Sequence, residues 1–291
     1  MYDLTLYLQV AWTSLAHASY QVLFTVAFAL VLKVTGIWNF TQSALMGLSF
    51  YCMFWLHSFF GLSPYWAMGI ALLVTVAVAI AIERKAFATL RNRNSEPIAF
   101  FIFTIVFSQL MTFVLELVFS PEPRFMLGDM MSPVHVVHGV YVTSWDIMAL
   151  LVTASVVTCL YLFLSFSQHG QFLIAVADNP DLAEAYGISK NRYYAIAMVI
   201  AAVLINTAMF IFGSKIALHP ELPLQIMLFA VTATIIGGIG SVFGAGIAAV
   251  ALAALQQGSV LFISSRWQPL VIFVILFLTI VFFPKGVRLK T

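Results

Sequence analysis

Charge is the scarcest commodity in this sequence. Only 8% of its 291 residues are Asp, Glu, Lys or Arg, whereas 63% are hydrophobic and 15% aromatic. A soluble domain carries roughly 25% charged residues, so there is too little polar surface here to cover a globule in water. Cysteine is scarce as well. Cys52 and Cys159 both lie in apolar stretches, which argues against a disulfide framework and reads as two small buried hydrophobes. GxxxxGK[ST], HExxH, GxSxG and Cys/His clusters are all missing, and with them a nucleotide-phosphate cradle, a zincin site and a serine-hydrolase elbow. No catalytic constellation remains, so an intramembrane enzyme is disfavoured. Acidic and basic residues are missing from the middle of the apolar segments, which argues against proton coupling. Sodium coupling through backbone carbonyls stays open. The N-terminus lacks a basic n-region and a cleavage site, so the first apolar segment is expected to be retained as a span.

What is present is a series of apolar stretches of bilayer-spanning length. Runs such as ALLVTVAVAIAI are apolar at every position, which excludes the alternation of a β-barrel and predicts an all-α, polytopic transmembrane bundle in the lipid bilayer. Spans are expected at about 6–32, 36–60, 65–82, 97–119, 145–166, 193–213 and 268–283, with an unusual zone at 224–257. Together these make about 8–9 membrane segments in a single domain over 1–291. The net charge of +2 does not point to nucleic acid, because the basic residues are loop residues. Their distribution sets orientation. Lys33, Arg84, Lys85, Arg91, Arg93, Lys190, Arg192, Lys285, Arg288 and Lys290 fall on one side, and only Arg124, Lys215 and Arg266 on the other. That asymmetry places 83–96, 167–192 and the C-terminus in the cytoplasm and the N-terminus outside.

The same parity requires 224–257 to enter and leave on one side. As one helix its 34 residues would measure about 51 Å, more than a single crossing needs, and either half alone is short for a full crossing. The centre, GGIGSVFGAG (237–246), predicts a hairpin of short helices. Gly237, Gly238, Gly240 and Ser241 are candidates for lining a translocation path; the same glycines read equally as a packing seam.

Polar residues near the start of the second span form the other candidate. In GIWNFTQSALMG (36–47), Asn39, Gln42 and Ser43 share a helical face by their i, i+3, i+4 spacing. They fit either a translocation path or helix interface, or ordinary headgroup-level polarity. Asn206 suits an interhelical hydrogen bond, and Glu116 reaches the headgroup region. In the loop 120–144, HVVHGVYV has strand character; His135 and His138 lack the further ligands that a metal site needs. Ser144, ahead of Trp145 and Asp146, reads as a helix N-cap beside an interfacial aromatic.

The segment 167–192 contains a soluble-looking helix, AVADNPDLAEAYGISKNR (175–192). Asn179 is an N-cap, Pro180 takes the first helical position, and Asp181 lies in the first turn. The helix runs to about Tyr186 and stops at Gly187. Leu182, Ala183, Ala185 and Tyr186 offer apolar contacts, while Asp178, Asp181 and Glu184 offer charge. A helix this short is unstable alone, so it docks either on its own bundle or on a partner.

These residues resemble a family. GQFLIAVADNPDLAEAYGISKNRYYAIAMVIAAVLI is similar to the coupling segment of ABC-importer permeases. GIWNFTQSALMGLSFY, ERKAFATLRNRN, TATIIGGIGSVFGAGIAAVALAALQQ and RWQPLVIFVILFLTIVFFPKGV, in that order, resemble segments of the branched-chain amino acid permease family, in the shorter of its two paired subunits. Ser43 stands where that family commonly has glycine, Ser49-Phe50 replaces Gly-Ala, and Gln171 leads into the coupling segment without the usual arginine.

The resemblance implies a type II-like ABC importer fold in a bacterial inner membrane. It implies partnership with a second, homologous permease subunit (or a second copy), two ABC ATPase subunits and a periplasmic substrate-binding protein. ATP and magnesium would be held by the ATPase, with no cofactor or metal in this chain. Asp178, Asn179, Pro180, Asp181, Glu184, Ala185 and Gly187 would then form the ATPase-coupling surface. The expected cargo is a branched-chain amino acid or a related amino acid, amide or small organic acid. A self-contained secondary transporter or channel built on the 237–246 hairpin is the alternative.

Overall fold

Thirty-two residues containing no Asp, Glu or Pro form the first helix, α1 (Leu4–Thr35), and it runs through the centre of the bundle. The computed structural model describes residues 4–126, 133–264 and 267–282. Arg266, Lys285, Arg288 and Lys290, which contributed to the orientation above, lie outside the described residues. From α1 the chain passes to α2 (Thr41–Phe60) and α3 (Pro64–Ala81), then through a π-helical turn (Ile82–Phe87) into α4 (Ala88–Asn92). After α5 (Pro97–Phe119) comes an antiparallel hairpin of β1 (Val134–Val137) and β2 (Val140–Thr143), in register Val134 with Thr143 and Val137 with Val140. Next are α6 (Ser144–Phe166), two short helices α7 (Gln168–Asp178) and α8 (Pro180–Ala185), and α9 (Lys190–Gly213). The chain ends in the pair α10 (Leu222–Gly237) and α11 (Val242–Gly258), followed by α12 (Gln268–Phe282).

α1 packs against α9, α10, α11, α6 and α7, while α2 packs against α3, α5, α9 and α10. Burial runs opposite to hydropathy for some helices. The apolar stretch of α1 has a mean hydropathy of 1.7 and is 89% buried; that of α5 has 2.3 and is 22% buried. In lipid there is no hydrophobic drive between helices, so the most apolar surfaces face outward while small and polar residues mediate packing. Asn206 shows the polar part of this. Its Oδ1 accepts from Ser49 Oγ at 2.9 Å and its Nδ2 donates to the Met68 carbonyl at 3.3 Å, tying α9 to α2 and α3. That is the interhelical role expected of it.

Seven described helices are long and apolar enough to cross a membrane, and Leu222–Gly237 and Leu270–Thr279 are shorter apolar helices. This is a polytopic helical membrane protein. The 224–257 zone is the expected hairpin, but its arms are unequal. A 3-10 turn at Ser259–Leu261 extends the second arm to Val242–Leu261, 20 residues, so that arm is not short. Gly237 packs directly on Gly244, where a Cβ would stand far inside van der Waals contact with the Gly244 carbonyl.

Four local expectations shift. The third span does not end at residue 82: ERKAFATLRN is rich in helix formers and carries the helix on to Asn92. The cap of α6 is Thr143 rather than Ser144, its side chain accepting the Asp146 N–H at 3.2 Å. Asp146 itself is buried and ion-paired with Lys215, which fastens the start of α6 to the segment after α9. Cys159 lies on the exposed face of α6 and Cys52 is half-buried, so neither is a core hydrophobe. In the loop, His135 Nε2 lies 3.2 Å from Ser144 Oγ and His138 occupies the β1–β2 turn.

Candidate functional site

A corner built by one serine and one glycine starts the polar segment 167–192. Ser167 caps α7 by accepting the Gly170 N–H at 2.9 Å. Gly170 sits so close to the Phe163 carbonyl that any Cβ would overlap it. The turn therefore folds α7 tightly back on α6, and Leu173 and Val176 bury inward.

α8 follows with one residue between. Asn179 Oδ1 accepts the Leu182 N–H at 2.9 Å, with Pro180 at the first helical position, as the sequence predicts. At the other end the Gly187 N–H reaches the Glu184 carbonyl (2.9 Å) and the Ile188 N–H reaches Ala183 (3.0 Å). These two bonds make a Schellman motif, and Gly187 supplies its left-handed residue at φ 81°. The helix so fixed exposes almost everything. Ala183 alone is buried in α8, whereas Leu182, Ala185 and Tyr186 face outward, Tyr186 at 80% exposure. Three of the four expected apolar contacts are therefore unused by this chain.

Asp178, Asn179, Asp181, Glu184, Ala185 and Gly187 are all exposed and adjacent, with Pro180 half-buried among them. Lys190, at the start of α9, grips the acids: its Nζ lies 3.1 Å from Asp181 Oδ1 and 2.9 Å from Glu184 Oε2. Close by, the π-helical turn places Glu83 against Arg91, whose guanidinium lies 4.7 Å from the centre of the Tyr194 ring on α9. Neither cluster was legible beforehand. Glu83 and Arg91 are eight apart, a spacing outside the i, i+3 and i, i+4 pairs of a regular helix.

The glycine hairpin meets this end of the bundle. A cavity of about 300 Å³ is lined by Lys33 of α1, Ile174 and Ala177 of α7, and Gly240, Ser241 and Phe243 at the α10–α11 turn. Gly240 and Ser241 thus adjoin α7, while Gly237 lies in the glycine seam and Gly238 takes φ 94° at the turn. Ser241 caps α11, accepting the Gly244 N–H at 3.1 Å.

Asn39, Gln42 and Ser43 do not share a helical face, because α2 begins only at Thr41. Asn39 stands before the helix, its Oδ1 accepting from the Thr41 amide at 3.0 Å and its Nδ2 meeting Met198 Sδ at 3.3 Å. Ser43 bonds to Ser108 of α5. Gln42 is fully buried and its carboxamide has no hydrogen-bond partner among the described residues.

A multi-span helical bundle with two short, largely exposed helices at one end defines a polytopic membrane protein. The sequence comparisons carry this further. The family of branched-chain amino acid transport system permease components matches residues 10–280, and the chain belongs to that family. It is 27% identical to the high-affinity branched-chain amino acid transport system permease protein BraD of Pseudomonas aeruginosa, covering 97% of this chain and 95% of the relative. The LivH permease protein of Escherichia coli is 24% identical over the same shares. PsaBC from Streptococcus pneumoniae, solved in complex with a Fab, superposes with a TM-score of 0.53 at 16% identity, covering 95% of this chain and 93% of that one. At that identity the likeness concerns the fold alone.

Proposed function

We propose that this chain is the permease subunit of an ATP-driven importer in a bacterial inner membrane. It forms half of the translocation path for branched-chain amino acids or a related small amino acid, amide or organic acid. A second permease subunit completes the path, a pair of ATPase subunits holds ATP and magnesium, and an external binding protein delivers the solute. The N-terminus lies outside and the C-terminus in the cytoplasm, as the positive-inside asymmetry requires.

One observation carries the reading. α8 is capped at both ends and tied to α9 by Lys190, yet it presents Leu182, Ala185 and Tyr186 to solvent. A helix built that rigidly, with its apolar side turned away from its own bundle, is suited to transmit a push from a partner as a rigid-body shift. The glycine turn at Gly240–Ser241, together with Gln42 and its neighbours Asn39 and Ser43, is the part of the bundle that such a shift would rearrange.

Co-purification of the wild-type chain with its cognate ATPase tests this directly. The double variant Leu182→Asp/Tyr186→Asp is expected to lower ATPase binding roughly thirtyfold, the scale of losing an aromatic anchor at an interface, with membrane insertion unchanged. A wild-type chain that brings down no ATPase would overturn the importer reading.

A further inference from the structure

Away from α7 and α8, the other half of the bundle holds a second cavity, of about 440 Å³, between α1, α10, α11 and α12. Its polar lining is unusual for a chain this apolar: four carboxamides, Gln21, Gln225, Gln256 and Gln268, converge there with His17. None of the residues lining it is Asp, Glu, Lys or Arg. Gln21 is nine-tenths buried, and its carboxamide oxygen has no hydrogen-bond partner among the described residues. The His17 ring is held by the Tyr20 hydroxyl one turn further along α1. The remaining wall is mostly aliphatic and aromatic and includes Phe229 of α10 and Ile272 of α12.

The chemistry of that lining is selective. A carboxamide both donates and accepts and carries no net charge. Four of them complement a head group that itself presents donors and acceptors with no net charge, and none of them neutralises a lone ion. Burying an uncompensated ion beside neutral amides is costly, so simple cations and anions are disfavoured. The apolar wall gives an aliphatic side chain somewhere to pack. The volume lies within the roughly 300–1,000 Å³ range of small-molecule sites.

We propose that this cavity is a solute-recognition site of the permease. The carboxamides of Gln21, Gln225, Gln256 and Gln268 hold the ammonium and carboxylate of a zwitterionic amino acid, and the Phe229–Ile272 wall holds its aliphatic side chain. The proposal rests on the permease reading above and gives its solute a place within the chain. It makes the permease itself selective, in addition to any selection by an external binding protein.

Thiol protection tests it in membrane vesicles carrying the intact permease–ATPase complex. Gln256→Cys, in a chain also carrying Cys52→Ala and Cys159→Ala, is labelled with a small maleimide with and without millimolar leucine. Leucine is expected to slow labelling at least threefold, while acetate and lysine leave it unchanged. Adding Gln21→Leu is expected to raise the leucine concentration needed for protection roughly ten- to a hundredfold, the effect of losing one hydrogen bond to a charged group. Gln225→Cys, at an exposed position, provides the same readout should Gln256→Cys fail to insert. Labelling that leucine does not slow at either position, or that acetate and lysine slow equally, overturns the site. Vesicles that retain the ATPase and take up leucine without protection overturn the site alone. Vesicles with neither ATPase nor uptake overturn the permease reading on which it rests.

Discussion

The two halves of this bundle are polar in different ways. Around α7 and α8 the polar groups are ionic and mostly exposed: Asp181 and Glu184 sit on the doubly capped α8, between Asp178 of α7 and Lys190 of α9 and beside outward-facing Leu182 and Tyr186. In the other half four neutral glutamines line a cavity, Gln21 buried, Gln256 and Gln268 half-buried and Gln225 exposed at its rim. Exposed charges are cheap, screened by water and suited to setting the register of a protein partner. Buried amides are tolerated in a membrane only where they bond to something, which suits a small solute. Under the two proposals above, the exposed surface would receive force and the cavity would receive cargo. Both are fastened to α1, which spans the distance between them.

The strongest way to break the contrast is to remove the platform. Gly170→Val places side-chain carbon on the Phe163 carbonyl and should prevent the α6–α7 corner from closing. The expected result is loss of monodisperse permease after detergent extraction, and a normal elution profile would refute the account of that corner. Next in size is Glu83→Leu, which leaves Arg91 partly buried beside Tyr194 without its carboxylate partner. A loss of about 3 kcal/mol is expected in thermal unfolding of the purified chain, most of it recovered in Glu83→Leu/Arg91→Met. If the double variant is no better than the single one, the cost is not that of an unpaired charge.

Gln9→Ala probes the opposite half. Gln9 accepts the Tyr141 N–H at 2.7 Å and donates to the Tyr141 carbonyl at 3.3 Å, holding β2 on α1. Its removal should loosen the hairpin by about 1 kcal/mol, read as faster proteolysis at 134–143, while ATPase binding stays unchanged. Smallest of all is Lys190→Ala. Its pairs with Asp181 and Glu184 are exposed, so a change of under about 1 kcal/mol in stability is expected, with the α8 helix intact by hydrogen exchange. A large loss there would mean that the ion pairs, and not the caps, hold α8 in place.

Much of this was legible in the residues. Asn179, Pro180 and Gly187 mark the limits of α8 because capping is local chemistry, complete within a few residues of chain. The span at 97–119 coincides with α5 because Pro97 starts it and uninterrupted apolar residues carry it to Phe119. Asn39, Gln42 and Ser43 were misread as one helical face, since nothing local announces that α2 waits until Thr41. Glu83 and Arg91 were missed because a π-turn changes the helical phase, and the glutamine cavity because its members stand on four different helices.

The sequence by itself determined that this chain lives in a membrane, that its apolar segments are long enough to span one, and where the short helix α8 begins and ends. Composition, span length and capping are properties of contiguous residues, so they survive without a tertiary partner. Only the tertiary structure decided which apolar helices face outward, that α8 turns Leu182 and Tyr186 away from the bundle, and that Gln21, Gln225, Gln256 and Gln268 meet. Those depend on how helices far apart in the chain rotate against one another. In a bilayer that rotation is set by close packing and by the pairing of buried polar groups, which hydropathy along the chain does not encode.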